Sequence, residues 1–172
     1  EIFMHFGKTF GVISSTFVVL SLFESGPSHS ATLDCSHTKN ISQEVFRHAI
    51  KPGDRPDREL VQVSTIDVWS SNNPDLDGVE EKVHVHLDHV GATGSHNGYS
   101  EWPLNTGETL WVKFNGTHAL VTKGDTWEVP YQGVFRIIAG TGKYKGVQGG
   151  GWYQGVTTEN GKSETLYCTA EY

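Results

Sequence analysis

The sequence predicts an all-β protein, and three observations support this fold class. The 172 residues include 20 glycines, with threonine and valine spread throughout and few long runs of helix-forming residues. Several segments alternate apolar and polar side chains with the period of two that a strand requires. Hydrophobic residues make up 36% of the chain and aromatic residues 11%, enough for one core. We therefore expect one β domain with at most a short appendage.

The N-terminal residues have the layout of a secretory signal peptide. Lys8 precedes an apolar run from Phe10 to Phe23, and Ser28 and Ser30 stand before Ala31 as small residues do at a cleavage site. The run, at roughly 14 residues, is too short to span a bilayer comfortably. The alternative is that Val12 to Leu22, rich in β-branched residues, forms a strand or docks on the domain.

These features divide the chain into a signal peptide or N-terminal extension, residues 1–30, and a single barrel domain, residues 31–172. The expected localisation is secreted or periplasmic. Asp34 occupies the position before Cys35 where a lipoprotein signal needs a small residue, so we expect no membrane anchor.

The chain has two cysteines, Cys35 and Cys168. In an exported protein an even pair is more often a disulfide than two free thiols. The first and last strands of a closed barrel are neighbours, so this spacing is compatible with a bridge. Two buried, reduced cysteines are the alternative.

Two strands are predicted in the first half of the domain, Glu59 to Ser70 and Glu81 to Val90. In the second strand His84, His86 and Asp88 share one face, so they are the candidate catalytic residues. Histidines at this spacing can chelate a divalent metal, and an imidazole can act as a general base. The plainer interpretation is that Val83, Val85 and Leu87 face the barrel interior, and that the three polar side chains on the opposite face meet solvent.

Ligand contacts are predicted in the turn-rich stretch from Gly91 to Gly107 and among nearby aromatic residues, because loops at a barrel mouth commonly carry such contacts. The candidates are Trp69, His96, Tyr99, Trp102 and Trp111. His96 and Tyr99 could instead finish a strand and cap the rim. Asn115-Gly116 is the strongest short turn signal and predicts a hairpin between Thr109 to Phe114 and Thr117 to Lys123.

The segment from Tyr131 to Gly155 indicates how the sheet closes. Phe135 and Ile137 alternate with polar and apolar neighbours in a predicted strand, Gly140 to Gly142 supplies a turn, and Lys143 to Val147 runs back. A third strand is expected from Trp152 to Thr158. Seven glycines follow Ala139 in this segment, interleaved with aromatic residues, and such a density is typical of the corners of a small closed barrel. A flexible glycine loop is the alternative.

The run GVFRIIAGTGKYKGVQGGGWYQG within this segment resembles the pattern F-x-I-x-x-G-T-G-K-[FY]-x-G-[IV]-x-G-x-G-x-Y of the allene oxide cyclase-like and dirigent-like barrel superfamily. The match covers about 25 residues, and Trp152 beside Tyr153 is a small departure from it. The resemblance implies an eight-stranded antiparallel β-barrel, calycin-like and with little helix, around a mostly apolar cavity. It transfers no active site, because no position matches the family's polar catalytic residues one by one.

The formal net charge of −7 argues against nucleic-acid or anionic-membrane partners. Motifs of serine hydrolases, P-loop proteins and zinc sites are absent from the sequence, and we expect no cofactor and no resident metal. The leading hypothesis is an exported barrel that binds a small, largely apolar organic molecule and directs its cyclisation or isomerisation. A non-catalytic carrier or scavenger is the first alternative, and a metal-binding protein using His84 and His86 is the second. A homo-oligomer is compatible with the resemblance.

Overall fold

A computed structural model describes residues 31–172, apart from the side chains of residues 40–42. The predicted signal peptide and the alternative strand from Val12 to Leu22 lie outside the described residues. The strands in chain order are β1 (Thr32–Asp34), β2 (His37–Ile50), β3 (Arg58–Ser70), β4 (Glu80–Val90), β5 (Thr93–Pro103), β6 (Thr109–His118), β7 (Val121–Lys123), β8 (Thr126–Gly140), β9 (Gln148–Thr158) and β10 (Gly161–Glu171). One 3-10 turn, Gly142–Tyr144, separates β8 from β9.

Eight of these strands form a closed antiparallel barrel. The order is β2-β3-β4-β5-β6-β8-β9-β10, and β10 pairs again with β2. The short strands β1 and β7 pair with β10 and β8. The predicted all-β class and the eight-stranded barrel are therefore confirmed. Within residues 31–172 no helix has the length and apolar character needed to cross a membrane.

Three local predictions were wrong. The predicted hairpin at Asn115-Gly116 does not form, because both residues lie inside β6 and pair with β5 and β8. The stretch from Gly91 to Gly107 is mostly the regular strand β5 rather than loop. Lys143 to Val147 does not run back as a strand; it continues from the 3-10 turn, whose Tyr144 is buried at one end of the barrel. In the first two cases long-range strand pairing overrode local turn signals, and in the third Tyr144 packs into the end of the barrel instead of extending a strand.

One end of the barrel is filled by a hydrophobic core. His37 stacks on Trp69 with ring centroids 3.5 Å apart, and Trp69 meets Trp102 edge to face at 4.8 Å. Aliphatic and aromatic residues from the strands and from the loops after β3, β5 and β8 complete this end: Leu33, Leu76, Val79, Leu104, Leu110, Ile137, Tyr144 and Val147. The opposite end is not packed in this way, and the barrel interior continues there as a cavity.

The barrel closes along a short seam, which we define as the three residue pairs that join β2 to β10: His37–Leu166, Thr38–Thr165 and Lys39–Glu164. The predicted disulfide between Cys35 and Cys168 is confirmed and lies next to this seam, with the two Cα atoms 4.8 Å apart. The backbone N–H of Cys35 also donates to the carbonyl of Cys168 at 3.2 Å. Covalent and hydrogen-bonded contacts therefore fix β10 to the junction of β1 and β2.

Candidate functional site

The cavity inside the barrel has a volume of about 670 Å³, within the range of small-molecule sites. Its wall is formed by inward-facing residues that alternate with outward-facing ones along each strand. Most of the wall is apolar: Val63, Val83, Val85, Leu87, Val112, Phe114, Leu120, Val129 and Phe135. Leu120 and Trp127, which also line the cavity, are about 40% exposed, so they mark its mouth.

The deep end of the cavity carries three buried charged side chains, Lys39, Glu81 and Glu164, which we name the cavity floor. The ammonium group of Lys39 pairs with Glu81 and lies 2.8 Å from Glu164 Oε1. Burial alone would lower the pKa of Lys39, but Glu164 and then Glu81 raise it above its usual value. Burial would likewise raise the pKa of Glu81, and the ion pair with Lys39 instead holds it below its usual value. The floor is thus charged.

The indole N–H groups of Trp69 and Trp102 complete the hydrogen bonding of the Glu81 carboxylate. Trp69 Nε1 donates to Oε2 at 3.0 Å, and Trp102 Nε1 donates to Oε1 at 2.9 Å. Both carboxylate oxygens of Glu81 therefore have donors, as a buried carboxylate requires. Toward the mouth, Lys162 Nζ lies 2.8 Å from Asp67 Oδ2 and 4.0 Å from Glu164 Oε2. The ion pairs extend from the floor up one side of the cavity.

A hydrogen-bonded tyrosine and histidine lie on the cavity wall. Tyr153 on β9 places its hydroxyl 2.7 Å from Nε2 of His96 on β5. The two residues are separated by β6 and β8, whose residues in the same row are Gly116 and Gly133. A Cβ atom at Gly116 would lie 2.6 Å from His96 Nε2 and 2.7 Å from the Tyr153 hydroxyl. The two glycines therefore leave the room in which the Tyr153 ring crosses the wall to His96.

This tyrosine and this histidine are both held in their neutral forms. Burial, followed by the charge of His118, lowers the pKa of His96 to about 4. Burial, followed by Glu164, raises the pKa of the Tyr153 hydroxyl above its usual value. A neutral imidazole and a neutral phenol in contact can exchange a proton or orient an oxygen of a bound molecule.

The candidate residues His84, His86 and Asp88 all lie on the outer face of β4. Their side chains are exposed, and the alternate residues of β4 line the cavity. His84 Nδ1 is 2.8 Å from Ser64 Oγ, and Asp88 accepts two hydrogen bonds from Arg58 at 3.0 and 2.8 Å. In the described part of the chain, no group of three or more histidine, cysteine, aspartate or glutamate side chains is arranged to hold a metal ion.

The five candidate ligand-binding residues divide between the inside and the outside of the barrel. His96 and Trp102 line the cavity, and Trp69 is buried below it in the core. Tyr99 is 48% exposed and faces out with Lys113 above its ring. Trp111 is half-buried and alternates with the buried Leu110 and Val112, so it also points away from the cavity.

Most of the polar groups in the cavity were not predicted from the sequence. They include Lys39, Glu81, His89, His118, Tyr131, Tyr153, Lys162 and Glu164. His89 had a usable signal, because it continues the inward column of Val83, Val85 and Leu87 by two residues. The cavity floor had no such sequence signal. Its residues, Lys39, Glu81 and Glu164, come from three strands that are distant in sequence, and local sequence does not reveal how those strands pair.

Comparison with known proteins gives little further information. No family model and no curated protein matches the sequence. Among solved structures, a pterocarpan synthase dirigent protein superposes on the chain with a TM-score of 0.43 and 11% sequence identity, covering 92% of this chain and 99% of that one. Similarity at this level carries no argument about fold or activity. The resemblance to the allene oxide cyclase-like and dirigent-like superfamily therefore depends on the sequence motif.

Proposed function

We propose that this protein binds one small, largely apolar organic molecule in the barrel cavity and directs its isomerisation or cyclisation. The observation that carries the proposal is the cavity itself, about 670 Å³ with a largely apolar wall and a cluster of convergent polar groups. Such a combination is typical of sites that bury most of a ligand and orient it through a few polar contacts. The ligand's apolar body would contact Val83, Val85 and Phe114, and its polar end would meet Tyr153 and His96.

Shape and acid–base groups together support a catalytic role. A cavity that holds a flexible molecule in one reactive conformer lowers the barrier by orientation. The neutral Tyr153 and His96 pair adds groups that can donate or accept a proton in the same space. A carrier with the same cavity is the competing function, because binding alone needs no proton transfer.

We also propose that the protein is exported. The disulfide between Cys35 and Cys168 supports this localisation, since such bonds persist mainly in oxidising compartments. Self-association into a homo-oligomer stays a prediction from the sequence resemblance.

The proposed function is tested by native mass spectrometry of the protein purified from its source, followed by extraction of the bound molecule and its re-incubation with fresh protein. We expect one retained organic molecule per chain and its conversion to an isomer. Tyr153→Phe should still bind the molecule and convert it at least about a hundredfold more slowly, the loss typical of an acid–base group. Retention without conversion by either protein would establish the carrier instead, and a protein that retains no molecule would contradict both functions.

A further inference from the structure

A series of four polar side chains runs from the cavity wall to the rim of the barrel. Tyr153 contacts His96 Nε2 at 2.7 Å, and His96 Nδ1 is 3.3 Å from His118 Nδ1. His118 Nε2 is in turn 3.4 Å from His89 Nδ1. His96 and His118 therefore each use both ring nitrogens, one toward the cavity and one toward the rim.

The strand register explains how these side chains come into contact. His89 on β4 and His118 on β6 lie in one row, with Gly94 of β5 between them. The Tyr153 and His96 row has Gly116 and Gly133 in the same intermediate position. Each strand that lies between two members of the series therefore has a glycine in the intervening inward position. Because glycine has no side chain, the rings on either side can meet across that strand.

The two ends of the series lie in different environments. Tyr153 and His96 are buried on the cavity wall, with 6% and 7% exposure. His89 is 11% exposed at its side chain, and its Nε2 lies 3.6 Å from a carboxylate oxygen of Glu59, which is 32% exposed. The series therefore connects the interior of the cavity to a partly hydrated carboxylate at the surface.

We propose that Tyr153, His96, His118 and His89 form a proton relay between a molecule bound in the cavity and solvent at the rim. This inference rests on the proposed function, because it supplies the proton transfers that an isomerisation needs. It also specifies the ligand class, namely a molecule with a hydroxyl, phenol or enolisable carbonyl oxygen that can contact the Tyr153 hydroxyl.

The proton count of the relay balances. In the starting state Tyr153 donates to His96 Nε2, His96 carries its proton on Nδ1, and the other two histidines carry theirs on Nε2. A hydroxyl proton of the bound molecule passes to the Tyr153 oxygen as Tyr153 gives its own proton to His96 Nε2. His96 then releases its Nδ1 proton to His118, which releases its Nε2 proton to His89 Nδ1, and the His89 Nε2 proton leaves to water.

All three imidazoles end neutral with the opposite tautomers, so the series can run in reverse. Return of a proton to a different atom of the bound molecule would complete an isomerisation and restore the starting state. The lowered pKa values of His96 and His118, due first to burial in both cases, favour the neutral forms that this exchange uses. Tyr131, whose ring centroid is 6.3 Å from that of His96, is the remaining titratable aromatic group facing it.

The relay can be tested without any ligand, by NMR of protein labelled with ¹⁵N at histidine. We expect a scalar coupling between the Nδ1 atoms of His96 and His118 across their hydrogen bond, and another between His118 Nε2 and His89 Nδ1. The absence of the coupling between His96 and His118 in the wild-type protein would overturn the relay. Because no ligand is present, this failure is distinct from a failure of the cavity to bind a molecule.

Proton exchange gives the second measurement. His118→Phe keeps a ring at the same position but removes both nitrogens, so exchange of the His96 ring N–H with water should slow by about a hundredfold. The matched control, His86→Phe on the outer face of β4, should leave this exchange unchanged. Equal exchange rates for His96 in the wild-type protein and in His118→Phe would show that the rings only pack together.

Discussion

At the residue scale, Lys39 pairs with two buried carboxylates at once. Its side chain is 7% exposed, and those of Glu81 and Glu164 are 3% and 6% exposed. A buried ion pair adds little net stability as a unit, but loss of one partner leaves an uncompensated charge in a poorly hydrated site. The cavity floor is therefore sensitive to single substitutions.

We expect Lys39→Met to lower the free energy of unfolding by about 3–5 kcal/mol, measured by urea denaturation. Lys39→Met combined with Glu81→Gln and Glu164→Gln should recover part of that loss, since no buried charge is then left unpaired. Lys82→Met is the control, because Lys82 and Glu101 form an exposed pair, and it should cost less than about 1 kcal/mol. A loss for Lys39→Met as small as that of the control would contradict a buried, charged floor.

His37 makes the stability of the barrel depend on pH. Its ring is stacked on Trp69, and Nδ1 lies 2.9 Å from the Cys35 carbonyl oxygen. Burial, followed by the charge of Lys39, lowers the pKa of His37 to about 4. The unfolded chain takes up this proton near pH 6.5, whereas the folded state does not, so the free energy of unfolding falls as the pH decreases from about 6.5 toward 4.

Between pH 7 and pH 5 this single residue should account for about 2 kcal/mol of lost stability. The measurement is urea unfolding at both pH values for the wild-type protein, His37→Phe and the exposed-site control His48→Phe. We expect His37→Phe to reduce the difference between the two pH values by that amount and the control to leave it unchanged. The same pH difference in all three proteins would refute the assignment.

At the scale of the strands, the seam is the weakest part of the barrel wall. Only three residue pairs join β2 to β10, compared with eleven between β9 and β10. The Lys39–Glu164 pair and the neighbouring disulfide compensate for the small number of ladder hydrogen bonds. Without these two contacts, a seam of only three residue pairs would open easily.

Reduction of the Cys35–Cys168 bond should therefore increase amide hydrogen exchange first at the seam, at Thr38, Lys39, Thr165 and Leu166. The β5–β6 pair, with ten residue pairs and no covalent support, should gain less exchange than the seam, because it opens only with the whole barrel. The free energy of unfolding should also fall, by at most about 5 kcal/mol for a sequence separation of 133 residues. Uniformly increased exchange throughout the barrel would show that the bond stabilises the whole fold rather than the seam.

The strands also show what the sequence could and could not predict. Alternation located β3 and β4 to within one residue, and the glycine-rich C-terminal part correctly indicated closure. The hairpin predicted at Asn115-Gly116 was wrong because Gly116 does not turn the chain. It instead leaves room for the side chains of Tyr153 and His96 to meet. The register that brings Gly116, Gly133 and Tyr153 into one row is a property of the closed barrel and has no local signature.

At the scale of the whole molecule, one end of the barrel is a solid core and the other surrounds a cavity. His84, His86 and Asp88, the most conspicuous polar group in the sequence, lie on the outer face of the barrel. The polar groups inside the cavity come from residues scattered along the chain between Lys39 and Glu164. Long-range pairing assembles them, which is why the fold class was predictable and the polar residues of the cavity largely were not.

The most direct test is a fluorescence titration with the neutral apolar probe N-phenyl-1-naphthylamine, using two matched variants. Val85→Trp adds a large ring inside the cavity, and Val134→Trp adds the same ring at a position that is 54% exposed on the outer surface. If the cavity is the binding site, the wild-type protein and Val134→Trp bind one probe with equal affinity, and Val85→Trp binds at least about tenfold more weakly, a difference of roughly 1.4 kcal/mol. Equal binding by both variants, or no binding by the wild-type protein, would contradict a ligand-binding barrel.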